Sequence, residues 1–418
     1  MRRGIRMRRP RAALGVSAVL LAAAACERAP ATIDDAILVA AGDAHSPTVA
    51  VAPDGTAYVA WVSGDEEFEV LLSRAGEEPV RVNDVPGDAA PHAQAPAQVA
   101  VGPEGNIYVA WQNNTPIEGR RFPASDLRFA RSVDGGRTFE PAIYVNDDAG
   151  GVPASHTFHD VAVAEDGTVY VSWIDGRLRA HAEAGSRADG GHVHGDGPGP
   201  EIRVARSRDG GRSFEPSVVV TSKACPCCRT SLAVAGQDVY VAWRDVNDDN
   251  IRNIVVAHSA DGGKTWSAPR AVHEDAWQID GCPHAGPSLA VTADGRLHVA
   301  WYTGSPERPG IYHAVAREGL EFGEPAPLLS GLWVPPSLVD LAAAGGSVLA
   351  AWDDRRAEVP RVSFGTAPSG TLAAGLATGR PERAETDGIA PSLAARNGRY
   401  ALTWLRGDSV FVRTGAAR

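Results

Sequence analysis

Cysteine is scarce in this chain, five in 418 residues, and three of the five fall in one short stretch, Cys225-Pro-Cys227-Cys228-Arg229. A fourth lies in Gly281-Cys282-Pro-His284. Four thiols allow three disulfide connectivities in an oxidising compartment. The same thiols, with His284 as a further ligand, suit a soft metal such as copper or zinc. A mixed state, one disulfide and two thiols, satisfies the sequence equally well. His156 and His159, in Ser155-His156-Thr-Phe-His159-Asp160, extend the candidate metal set. His192-Val-His194, in a long Gly- and Ala-rich insertion over 178–200, offers accessory ligands or a lid.

A second group of side chains suits anion recognition. Arg177, Arg229, Arg244 and Arg355 could grip a carboxylate, since guanidinium groups bind carboxylates bidentately. Asp245 and Asp353 adjoin two of them, and Tyr302 is a candidate nucleophile beside an acid, with Tyr312 nearby. The competing reading of these arginines is ion pairing within the fold.

These residues hang on a repeat. An apolar run, a turn such as Asp-Gly, and a phrase like Tyr-Val-Ala-Trp recur, ending at Trp61, Trp111, Trp173, Trp243, Trp301, Trp352 and Trp404. Each segment is five or six residues long, strand length, with hairpin signals between. A third strand precedes, and a fourth follows, the motif Ser-x-Asp-Gly-Gly-(Arg/Lys)-(Thr/Ser)-(Phe/Trp), present at Ser132–Phe139, Ser207–Phe214 and Ser259–Trp266. Four antiparallel strands per 50 to 70 residues predict an all-β chain folded as a β-propeller. Seven blades are expected, six if the divergent unit around Leu341–Thr371 is not a blade. The last unit lacks a fourth strand, and the segment Ile33–Ala40 is expected to supply it.

The Gly-Gly motif is the Asp-box, and its three copies resemble those of sialidase-like Asp-box (BNR repeat) propellers. That resemblance covers most of the chain and implies fold more than activity, because Asp-box propellers include glycoside hydrolases, sorting receptors and assembly factors. It implies that Arg177, Arg229, Arg244 and Arg355 hold an acidic sugar, with Asp245, Asp353 and Tyr302 in the chemistry. The family's early Arg-Ile-Pro phrase is absent, so a complete exo-sialidase set is not recognisable here.

Strand order sets two faces. Loops leading into strand one, and loops joining strands two and three, share one face; the Asp-box turns occupy the other. Five successive lead-in loops carry His or Cys: those holding His45, His92, His156 with His159, the Cys225 stretch, and Cys282 with His284. Functional chemistry is expected there. Three functions remain open on the sequence: a glycan-active protein, a metal-binding or redox protein, and a scaffold stabilised by disulfides.

The chain begins with six arginines up to Arg11 and an apolar run, Ala12–Ala25, too short to span a bilayer and of signal-peptide form. Ala23-Ala24-Ala25-Cys26 resembles a bacterial lipoprotein cleavage box, with Cys26 the lipidated residue and Ala23 in place of the usual Leu. Residues 1–25 read as signal, 26–32 as anchor linker and 33–418 as one propeller domain. Glu27 in place of Asp leans towards an outer-membrane anchor, on the periplasmic or cell-surface side. The formal charge of −11 falls to about −17 once those arginines leave, which argues against nucleic acid as a partner. A membrane through the anchor and a glycan or small anionic ligand are the expected partners of a monomer.

Overall fold

The computed structural model describes Met1 and residues 31–32, 35–119, 122–188, 198–316, 319–368 and 384–416. Cys26, the leading segment, His192 and His194 lie outside the described residues.

Seven antiparallel sheets form the blades of a β-propeller. Blade one runs through Ala44–Val51, Ala57–Ser63, Glu69–Arg74 and Val80–Arg81; blade four through Ser231–Ala235, Asp238–Arg244, Ile254–Ser259 and Arg270–Ala271. The divergent sixth unit is a true blade, Val339–Ala344, Ser347–Asp354, Arg361–Pro368 and Ala384–Asp387. Blade seven takes its outer strand from the N-terminal segment, Ile37–Ala40 pairing antiparallel with Ser409–Ala416. This closes the ring by hydrogen bonds between the two ends of the chain. Ala31–Thr32 adds a parallel edge to blade six, so the N-terminal segment bridges two blades.

The repeated tryptophans explain why the blades stack. Each lies at or near the end of its second strand, at most 1 % exposed, and belongs to a different one of seven apolar clusters between neighbouring blades. Burying an indole removes on the order of 200 Å² from water, about 5 kcal/mol of transfer free energy at 25 cal/mol/Å². On the inner strands, side chains reach the next blade's backbone. Asp160 accepts from Leu232 N–H, Ser231 from Leu289, Ser288 from Leu341, and Asp340 from Leu393. Burial pushes Asp160 up to about 6 despite that bond.

The Asp-box turns are self-contained. In the first, Asp134 accepts from the Arg137 and Thr138 N–H groups and from the Thr138 hydroxyl, while Ser132 Oγ accepts from Gly136 N–H. Gly136 sits at φ +82°, with Leu72 and Ile107 where a side chain would go. The other two copies repeat the pattern.

One expectation changes. The insertion after strand two of blade three begins as a helix, Arg177–Ala188, with His181 exposed on it. No helix among the described residues is long and apolar enough to cross a membrane.

Candidate metal centre

Chain direction places every strand-one lead-in loop on the face opposite the Asp-boxes. Several of these loops start from irregular backbone. Ser46, Phe158 and Ala390 have positive φ at bulges in the first strands of blades one, three and seven, and His284 does so ahead of blade five. Bulges of this kind re-aim side chains. Here they carry loops across the channel mouth. Gln94, from the loop before blade two, accepts from Gly286 N–H before blade five. Arg229, before blade four, donates to the Val339 carbonyl of blade six.

Beneath this cap, Cys225, Cys227 and Cys228 turn back on one another. The Cys225 N–H is tied to the Arg244 carbonyl, and Thr230 N–H to the Phe158 carbonyl, so the intervening turn is pinned at both ends. The sulfurs of Cys225 and Cys227 are 3.4 Å apart, and those of Cys225 and Cys228 3.8 Å. All three Sγ atoms lie within 4.8 Å of one another, and none is in a disulfide. The residues are 1 %, 4 % and 0 % exposed. Ala95 and Phe158 pack in the same apolar cluster.

Two buried guanidinium groups flank the triad. Arg252 Nη1 is 2.9 Å from Cys225 Sγ, and its Nη2 donates to Asn250. Arg244, 1 % exposed, donates through Nη2 to the carbonyls of Ala285 and Tyr302. Its Nε and Nη1, and the Nε of Arg252, have no hydrogen-bond partner among the described residues. Trp277 roofs Arg244, with its ring 5.1 Å from the guanidinium carbon. Neither arginine makes an ion pair with a carboxylate among the described residues, although a buried cation is costly unless an anion compensates it. A deprotonated thiol of the triad is the nearest group able to supply that anion. Hydrogen bonds from Cys227 and Cys228, together with the Arg252 charge, hold Cys225 well below the ordinary thiol range. Burial pushes Cys228 up to about 11, and Cys227, donating to Cys225, is also raised.

The other expected ligands lie elsewhere. Cys282 and His284 are exposed and do not join the sulfur group. His284 instead faces the His92 ring, 6.1 Å between centroids. His156 is buried among Asp148, Asp175 and Asp126, with Nδ1 on the Ser125 carbonyl. His159 is fully buried on the Ala110 carbonyl, and burial lowers it to about 4.

The candidate anion-binding residues have partners within the fold. Arg177 is held by Asp175, Asp147 and Asp148. Arg355 pairs with Asp353, whose carboxylate also accepts from Leu338 and Ala390 N–H. Tyr302 is buried and donates to the Val334 carbonyl. Asp245 is half-buried, and burial raises its carboxyl. Ion pairs thus hold Arg177, Arg355 and Asp353, and Arg229 and Tyr302 donate to backbone carbonyls, whereas Arg244 keeps two unpartnered nitrogens among the described residues. Sequence reasoning did not single out Arg252, Gln94 or Trp277. For Arg252 the available signal was its position in the strand two to three loop of the cysteine blade.

Asp248, Asp249, Glu274 and Asp280 are exposed on the loops of blade four and the approach to blade five.

Comparison with known proteins supports the architecture. An ulvan lyase of polysaccharide lyase family PL25 superposes with a TM-score of 0.55 at 12 % identity, covering 91 % of this chain and 96 % of that one. The GH93 α-L-arabinofuranosidase of Fusarium graminearum gives 0.50 at 14 %, over 80 % and 96 %. Hadza microbial sialidase Hz136 gives 0.48 at 16 %, over 86 % and 76 %. No protein-family model matches the chain, and no curated protein matches it by sequence. The protein is a seven-bladed β-propeller whose structural neighbours include glycan-processing propellers.

Proposed function

We propose that this propeller is a binding protein for a thiophilic metal ion, copper or zinc, held by Cys225, Cys227 and Cys228. One observation carries the reading: three unpaired, buried sulfurs within mutual ligand distance, beside two arginines that no carboxylate neutralises among the described residues. Thiolates at this spacing are soft ligands, and a bound ion would fix the deprotonated state that the arginines favour. We place the protein outside the cytoplasm, released from its signal segment and anchored through lipidated Cys26, with the outer membrane as the favoured site. The test is metal analysis and thiol counting on the full chain recovered from the cell envelope. About one copper or zinc per chain, lost in the Cys225→Ser/Cys227→Ser/Cys228→Ser variant, is expected. A metal-free protein with three titratable thiols would refute it.

A second reading, binding or cleavage of a glycan on the same face, draws support from the fold shared with the PL25 lyase and the GH93 arabinofuranosidase. Trp333, 65 % exposed before blade six, offers a ring on which sugars stack. Arg177, Arg229, Arg244 and Arg355 would have to leave their present partners to take an acidic sugar. A panel of oligosaccharides tested for binding and for turnover decides this reading. Binding lost in Trp333→Ala supports it, and no binding across neutral and anionic sugars removes it, leaving a scaffold role.

A further inference from the structure

We infer that the triad is a closed, three-coordinate site for one copper(I) ion, with Arg244 and Arg252 as its charge partners. This rests on the thiophilic-metal reading above and sharpens it.

Coordination number is the first argument. A metal–sulfur bond of about 2.3 Å in a trigonal plane sets the sulfurs about 4.0 Å apart. The observed separations of 3.4 and 3.8 Å, with all three sulfurs inside 4.8 Å, need only small outward shifts. Among the described residues no fourth His, Cys, Asp or Glu joins the group. Zinc takes four ligands in structural sites, and in catalytic ones three ligands plus an open water position. A triad only 0 to 4 % exposed offers neither. Copper(I) is the thiophilic ion for which three thiolates suffice.

Charge is the second argument. Three thiolates and one copper(I) carry two negative charges, which two guanidinium groups cancel. With zinc the same set keeps a net positive charge in an apolar pocket, where uncompensated charge is costly. Arg252 already touches Cys225 Sγ, and the free Nε and Nη1 of Arg244 are the donors left for the remaining sulfurs. Outside, exposed Asp249, Glu274 and Asp280 raise the local concentration of cations. Loading involves no electron transfer. Each sulfur still protonated gives its proton to solvent as its bond to copper forms.

The experiment uses the full chain, reduced with a phosphine under anaerobic conditions. Copper(I) is titrated against a chromophoric copper(I) chelator, and zinc(II) against a zinc chelator. One copper(I) per chain is expected, with three sulfurs by X-ray absorption, lost in Cys227→Ser. Arg252→Gln keeps all three thiols and is expected to weaken copper(I) by about 10- to 100-fold, with Arg252→Lys recovering part of the loss. Circular dichroism confirms that each variant is folded. Zinc held as tightly as copper(I), with Arg252→Gln without effect, overturns the copper(I) assignment and leaves the thiophilic reading standing. Neither metal bound by fully reduced protein overturns both.

Discussion

Gly286→Ala tests whether the crossing loops seal the cysteine site. A Cβ on Gly286 would lie 2.4 Å from the Arg229 carbonyl oxygen and 2.6 Å from its Cγ. The first contact is backbone, so no rotamer change relieves it, and one of the two loops must move. The Gly286 N–H then leaves Gln94 Oε1, a buried amide with no solvent to replace the donor. Overpacking costs about 1–3 kcal/mol, and orphaning the amide about 1–3 kcal/mol more, so about 2–6 kcal/mol is expected in total. For a propeller of this length the unfolding entropy is about 0.8 kcal/mol per kelvin, which converts the loss to a Tm decrease of about 3–8 °C. Arg229 directly follows Cys228, so the same displacement pulls on the triad. Native-state reaction with a chromogenic thiol reagent should accelerate relative to the parent protein. Gly281→Ala is the control: its Cβ meets only Ile279, at 3.7 Å, an ordinary contact. If Gly286→Ala matches Gly281→Ala in both Tm and thiol reactivity, the cap does not exist as described.

Three further outcomes follow from the packing and the titrating groups. Trp301 Nε1 donates to Asp275 at 2.7 Å, whereas Trp404 Nε1 has no partner among the described residues; calorimetry should therefore show Trp301→Phe losing about 1–3 kcal/mol more than Trp404→Phe. The Thr138 hydroxyl and N–H lower Asp134 to about 2, so its stabilisation is present above about pH 4 and disappears as pH falls through the folded value. Acid unfolding of Asp134→Asn should accordingly be less steep between those limits. Burial alone would lower His156, but Asp148 and Asp175 outweigh it and raise the ring. Its stabilisation is complete below the unfolded value of about 6.5 and is lost as pH rises through the folded one. His156→Gln should flatten urea-melt stability above neutral pH.

What the sequence reveals divides along a physical line. The blades were legible because their determinants are local and repeated: a tryptophan at each inter-blade seam, and Asp-box turns whose hydrogen bonds close within five residues. Ring closure was legible by subtraction, since blade seven lacked a strand and the segment Ile33–Ala40 lacked a partner, of which Ile37–Ala40 forms the strand. The site was only half legible. Equivalent lead-in loops place five His- or Cys-bearing segments on one face, but a shared face does not imply convergence. Bulges and positive-φ residues at Ser46, Phe158 and His284 decide where each loop goes, and nothing in residue type announces them. His156 fell among carboxylates, His284 stayed in solvent, and only the three cysteines within one turn were certain to meet.

The arginines make the complementary point. Arg177, Arg355 and Arg356 each follow an aspartate by two residues, and each is paired with that aspartate. Their spacing already contained the answer that they neutralise one another instead of a ligand. Arg244 and Arg252 have no such neighbour two residues before them, and they are the pair left beside the thiols. An arginine that no carboxylate neutralises is the better marker of a site. By that criterion the charge-bearing centre of this propeller lies at the cysteines of blade four; of the arginines assigned by resemblance, Arg244 lies beside it, whereas Arg177 and Arg355 are held in ion pairs.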